Sequence, residues 1–278
     1  MSSQPHNPLG QPTDYPQHYQ PELLVSIPRA ENRSHLGLEA DALPFQGADI
    51  WNAFEVSALD TRGKPLSFCG RLVFPAESEN LVESKSLKLY LNSLNQEKVA
   101  SRQQLMATLS KDLSVAAGSQ VEVSLIYPHE MPMPEMPAGQ CLDELAIQTD
   151  VYEVSPELLQ PDNDGLFEEV TEEVLFTNLF RSNCPITNQP DWATVTVCYR
   201  GRKIPGEALL KYLVSYRQHN DYHENCVERI FCDLMAAFSP QGLTVEANFL
   251  RRGGLDINPV RTTDSGLNYL AYPRYMRQ

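Results

Sequence analysis

Glycine is scarce in this chain, at 14 of 278 residues, and no apolar run approaches the ~20 residues needed to cross a bilayer. The first shortage excludes a collagen-like repeat and the second a helical membrane span. Positive charge is also short: 22 Lys plus Arg stand against 36 Asp plus Glu, a formal net of −14. Such a field repels phosphate backbones and anionic lipid, so neither nucleic acid nor membrane is expected as a partner, while a local basic cluster can still hold one small phosphorylated molecule. The opening stretch, MSSQPHNPLGQPTDYPQHYQ, lacks the basic end and apolar block of a secretory signal, which predicts a cytoplasmic protein. Six cysteines are scattered without C-x-x-C spacing, in a chain too long to need staples, and read as reduced thiols. What remains is 42% hydrophobic and 21% charged, a composition that folds around a real core.

Proline punctuates the organisation. Pro5, Pro8, Pro12 and Pro16 make residues 1–20 a tail or irregular cover, and four prolines in PHEMPMPEMPAGQ at 128–140 mark a linker between halves at 21–140 and 141–278. In the first half, alternating runs at 49–59 and 66–74 flank the polar turn Asp60-Thr61-Arg62-Gly63-Lys64, a hairpin signal. Leu105, Leu109 and Leu113 give 101–117 a helical period that Gly118 ends, and 121–127 alternates again. The second half repeats the order, with strands at 173–179 and 193–199, helices at 206–218 and 225–238, and a strand at 243–250. Tyr90-Leu91-x-Ser93-x-x-Gln96 recurs as Tyr212-Leu213-x-Ser215-x-x-Gln218, which points to internal duplication. Hairpins beside amphipathic helices predict an α+β fold, helices on one face of antiparallel sheets, whose open edges favour association of copies.

Four segments could carry chemistry. Cys184 lies in the turn-rich stretch Ser182 to Trp192, where a loop can present a nucleophile and Asp191 can reach back to move a proton; a packed thiol and a turn cap are the plain alternative. His223 and Glu224 precede a helix, where backbone N–H groups converge. A carboxylate such as Glu224 could accept paired N–H groups of a guanine- or pterin-like ring, or only complement the helix dipole. His219, His223 and Cys226 are spaced as a zinc set if the helix ran through them, but Asn220-Asp221 interrupts it. Glu83-Ser84-Lys85-Ser86-Leu87-Lys88-Leu89-Tyr90 reads alone as a solvated face entering a helix or strand. Arg251-Arg252-Gly253-Gly254 places two guanidiniums beside permissive glycines, a phosphate wrap or a basic turn.

Taken together these segments resemble the NADPH-dependent 7-cyano-7-deazaguanine reductases, the nitrile reductases of queuosine biosynthesis, in their long two-half form. The pattern E-S-K-S-x-K-x-Y stands at Glu83 to Tyr90, the nucleophile loop at Asn183-Cys184-Pro185 with Asp191, and the substrate pair at His223-Glu224, in matching order and spacing across most of residues 20–278. Tyr222 departs from the family's phenylalanine but keeps an aromatic ring.

The resemblance implies two tandem tunnelling-fold units, related to GTP cyclohydrolase I, and a homodimer. It implies that Cys184 adds to the nitrile carbon as a thioimide, that Asp191 supplies the proton and that His223 belongs to the catalytic group. Val82, Glu83 and Ser84, with His223 and Glu224, would hold the deazaguanine. Ser84, Lys85, Arg252 and Gly253 would contact NADPH, two of which complete the four-electron reduction without a metal. A zinc-dependent purine or pterin cyclohydrolase using His219, His223 and Cys226, and a non-enzymatic purine-binding protein, are the rival readings.

Overall fold

Two long hairpins set the architecture, each heading one half of the chain. The computed structural model describes residues 15–160 and 170–276; most of the proline-rich segment, residues 1–14, lies outside them. The first half runs β1 (Ser26–Pro28), α1 (Arg29–Ser34), β2 (Gln46–Leu59), β3 (Pro65–Pro75), β4 (Asn80–Val82), α2 (Ser84–Ser93), α3 (Arg102–Ala117) and β5 (Glu122–Ile126). After the two-residue β6 (Gln140–Cys141), the second half runs β7 (Thr171–Asn183), β8 (Pro190–Gly201), α4 (Gly206–Val214), α5 (His223–Phe238), β9 (Gly242–Phe249) and β10 (Leu255–Thr262).

Local chemistry explains the boundaries. Asp60 closes the first hairpin by accepting the N–H groups of Arg62 at 2.8 Å and Lys64 at 2.9 Å. Ser101 caps α3 by accepting from Gln104 N–H at 3.1 Å, while Gly118 ends it at φ +66°. Leu105, Leu109 and Leu113 are fully buried, as their spacing predicts.

The halves are copies in structural detail. Each hairpin shifts register at the same distance from its tip, between Ala53 and Val56 in the first and between Thr177 and Phe180 in the second. Within the recurring sequence, Tyr90 donates to Asp112 at 2.6 Å and Tyr212 to Asp233 at 2.5 Å. Ser93 and Ser215 each bond back to the carbonyl of that tyrosine at 2.6 Å.

One eight-stranded sheet, ordered β5-β3-β2-β10-β9-β8-β7-β6, spans both halves, so the two expected sheets are continuous. The helices cover one face and build one core cluster per half. Against the other face, Ala48, Ile50, Val73 and Val260 pack beneath Tyr269 and Tyr272 of the C-terminal segment. The joint is β10, paired with β2 along its full length and absent from the sequence-based expectations because Pro259 lies inside it. Pairing of β10 with β9 begins only at Val260, so the missing N–H is tolerated, and the Asn258 side chain accepts from Phe249 N–H at 3.2 Å where that ladder lapses.

A buried ionic network bolts the same joint. Glu228 Oε1 on α5 meets Arg33 at 2.7 Å and Arg261 at 2.8 Å, while Asp49 meets Arg261 at 2.8 Å and Arg29 at 2.5 Å. Burial pushes both carboxyls up, but the arginines outweigh it and hold them below the ordinary carboxylate range.

Candidate active site

The seam between the halves opens into a cavity of about 220 Å³. From the first half it receives the end of β4 and the start of α2; from the second, the β7–β8 loop, the start of α5 and the β9–β10 turn. Val82, Glu83, Ser84 and Lys85 line it together with Cys184, Asp191, His223, Glu224 and Arg252. Gly253 does not reach it. That residue lines a neighbouring hollow of about 70 Å³ that shares Lys88 and Leu255 with the main cavity.

Each side chain is placed by its own local structure. Glu83 caps α2, accepting from Lys85 N–H at 2.9 Å and Ser86 N–H at 2.7 Å. The segment that reads as a solvated face is thus a capped helix, and two lone-pair sites of its buried carboxylate stay open to a ligand. Cys184 begins a tight loop in which its N–H bonds to Gln189 O at 2.9 Å and its carbonyl accepts from Asn188 N–H at 2.9 Å. Asn188 adopts φ +55°, which asparagine tolerates, and its side chain accepts from Asn220 at 2.8 Å. Segment 219–221 also pairs with Asn183 on both sides, His219 O accepting at 2.8 Å and Asp221 N–H donating at 3.1 Å. The half-buried thiol is therefore presented by a loop stitched to the approach to α5.

Helix α5 begins at His223 rather than Asn225, and Asp221 Oδ1 fixes its approach by accepting from Tyr222 N–H at 2.8 Å and from the side-chain amide of Asn225 at 2.7 Å. His223 lies flat on Phe249, ring centroids 3.7 Å apart and 2° from parallel, with Nε2 turned 3.4 Å from Asp191 Oδ2. Glu224 is buried. Desolvation and the nearby charge of Asp49 lift its carboxyl to about 7, against the opposing pull of His223 and Arg29. Asp191, also buried, goes the other way: burial pushes its carboxyl up, but the hydrogen bond and charge of His223 and the Arg252 guanidinium bring it below the ordinary value.

Arg251 and Arg252 do not act as a pair. Adjacent residues on an extended segment point oppositely, so Arg251 stacks on Phe54, 3.8 Å from the ring centroid, while Arg252 turns to Asp191 at 2.5 Å and to Gln189. The positive φ of Gly253 (+59°) and Gly254 (+81°) closes a tight turn between Arg252 and Leu255, and a Cβ on Gly253 would sit 2.6 Å from Lys88 Nζ. The His219, His223 and Cys226 set is not assembled: His219 pairs with Asp221, His223 with Asp191, and no cluster of three or more such groups able to hold a metal occurs among the described residues. Sequence reasoning missed the walls, Ile27, Trp51, Leu250 and Ile257, and the Phe249 platform. Their apolar character carries no signal beyond that of core residues.

Comparison with known proteins adds the family. A family model described as "Nitrile reductase, 7-cyano-7-deazaguanine-reductase N-term" matches residues 15–125, and one described as "QueF-like protein" matches residues 190–266. A protein of Chromohalobacter salexigens named NADPH-dependent 7-cyano-7-deazaguanine reductase is 49% identical over 259 residues, covering 93% of this chain and 92% of its own. A protein of the same name from Bordetella pertussis is 53% identical over 260 residues, covering 92% of each. Among solved structures, an archaeosine synthase QueF-Like in the apo form aligns over 37% of this chain and 99% of its own, at 22% identity and a TM-score of 0.31.

Proposed function

The chain belongs to the NADPH-dependent 7-cyano-7-deazaguanine reductase family, and on that footing we propose that it reduces the nitrile of 7-cyano-7-deazaguanine to 7-aminomethyl-7-deazaguanine, through a covalent thioimide on Cys184, in tRNA queuosine biosynthesis. The observation that carries the reading is the meeting of Cys184, Asp191, His223, Glu83 and Glu224 around one purine-sized cavity. A nitrile is a poor hydride acceptor until sulfur adds to its carbon and a proton reaches its nitrogen, so the cysteine activates as well as anchors. Glu224 accepts the paired N–H groups of the deazaguanine ring, with Val82, Glu83, Ser84 and His223 completing the ring site. Asp191, backed by His223, delivers the proton.

NADPH, when bound, supplies the two hydrides of the four-electron reduction. Ser84, Lys85, Arg252 and Gly253 would hold it, without the G-x-G-x-x-G turn of a Rossmann unit. The side-chain-free Gly253 backbone lying against Lys88 suits a phosphate. In this reading the halves are tandem tunnelling-fold units, and two cytoplasmic copies associate; the sheet's termination at β5 supports such association. Following NADPH absorbance with and without 7-cyano-7-deazaguanine tests the activity. Intact mass of the protein incubated with the nitrile should show one adduct. Cys184→Ala should show none and lose turnover by at least ~10³-fold, as expected of a covalent nucleophile. Consumption of NADPH unchanged in that variant would remove the thioimide.

A further inference from the structure

Resting on the reading above, we infer that Arg252 is a positioning residue for the chemical step: by bridging Gln189 and Asp191 it holds Asp191 as an oriented carboxylate for the proton transfer of that reading. The geometry is specific. Asp191 opens β8 with its side chain 2% exposed, and both its oxygens are engaged, Oδ1 by Arg252 Nη1 at 2.5 Å and Oδ2 by His223 Nε2 at 3.4 Å. Arg252 is itself fixed at the corner of the β9–β10 turn, and its other terminal nitrogen is tied to Gln189 at the end of the cysteine loop. One guanidinium therefore spans the loop that carries the thiol and the strand that carries the acid.

A buried aspartate held in this way reaches the reaction without a proton, as the downward direction of its titration also indicates. The step nevertheless balances. The S–H bond of Cys184 breaks and its proton passes to Asp191, sulfur forms the S–C bond, the nitrile π pair moves onto nitrogen, and Asp191 returns the proton to that nitrogen. Nothing is oxidised or reduced, and no external acid is required. With its side chain 35% exposed and two of its five N–H donors engaged, Arg252 can still face the cofactor. Its tie to Asp191 exists without any cofactor, so the two roles separate experimentally. The other titratable groups around Asp191 are Cys226 on α5, which feels its charge, and, lining the same cavity, Asp221, Tyr222, Glu224, Glu83, Lys85 and Lys88.

The test measures adduct formation on Cys184 by quenched intact mass across pH, with NADPH omitted and 7-cyano-7-deazaguanine saturating, so that ring binding through Glu224 drops out. Arg252→Met should move the acid limb of the rate profile up by about one to two pH units, the effect of one nearby opposite charge, and so slow the reaction at least tenfold on that limb. Arg252→Lys, which keeps the charge, should bring the limb back toward the parent's. A profile unchanged in Arg252→Met overturns the inference and leaves the thioimide intact, as does a loss equal at every pH that Arg252→Lys fails to relieve. Failure of the parent protein to form any adduct overturns the reading of Cys184 itself, and this inference with it.

Discussion

The two hairpins are the same object used twice, and they differ most at their tips. Both carry a register shift equally far from the turn, and both pack under a helix that repeats the tyrosine–aspartate bond. Yet the β2–β3 turn closes on itself through Asp60 and stays exposed, whereas the β7–β8 loop is longer, carries Cys184 and is tied to segment 219–221. The two hairpins thus share a frame, and of their tips only the second lines the cavity at the seam. The first copy contributes from elsewhere, through the capped start of α2, which brings Glu83 and the lysines to the seam.

The seam puts the likeness of the halves to its hardest trial. Glu228→Ala would strip buried Arg33 of its carboxylate and leave Arg261 with Asp49 alone, at a cost of about 3–5 kcal/mol. Urea unfolding of this variant should remain a single transition moved to lower denaturant; two separated transitions would mean that the halves fold independently. Next in size is Glu224, which belongs to the second half alone. Its carboxyl titrates at about 7, and ring N–H donors need the ionised form. Affinity for 7-cyano-7-deazaguanine, measured by calorimetry on Cys184→Ala to avoid chemistry, should level off above that pH and fall about tenfold per unit below it. Glu224→Gln should weaken binding by about 1–3 kcal/mol and flatten this dependence. The smallest effects address the duplicated bonds. Tyr90→Phe and Tyr212→Phe should each lose about 1 kcal/mol of stability and sum in the double variant to within about 0.5 kcal/mol, because the bonds share no partner. Strongly unequal losses in thermal unfolding would end the equivalence.

Sequence patterns revealed the hairpins, α3 and the order of elements, since each rests on local alternation, capping or turn chemistry. Of the site residues that the resemblance named, the fold brings all but Gly253 to the cavity at the seam. What stayed hidden depends on distant partners. Strand β10 was concealed by Pro259, whose tolerance follows from a lapse in pairing with β9. The arginine network needs α1, β2, α5 and β10 together, and no spacing along the chain announces it. The divergence of Arg251 and Arg252 follows from extended backbone, which their adjacency in sequence masks.

The register of β2 with β10, eight consecutive residues from Leu255–Ala53 to Thr262–Gln46, imposes an order on biosynthesis. Those partners lie about 200 residues apart along the polypeptide, so the nascent first half emerges from the ribosome with the β2 edge bare and keeps it so until residues 255–262 have been made. Premature termination before residue 255 would release a chain whose longest strand has an open flank, a substrate for chaperones and a nucleus for aggregation rather than a smaller working enzyme.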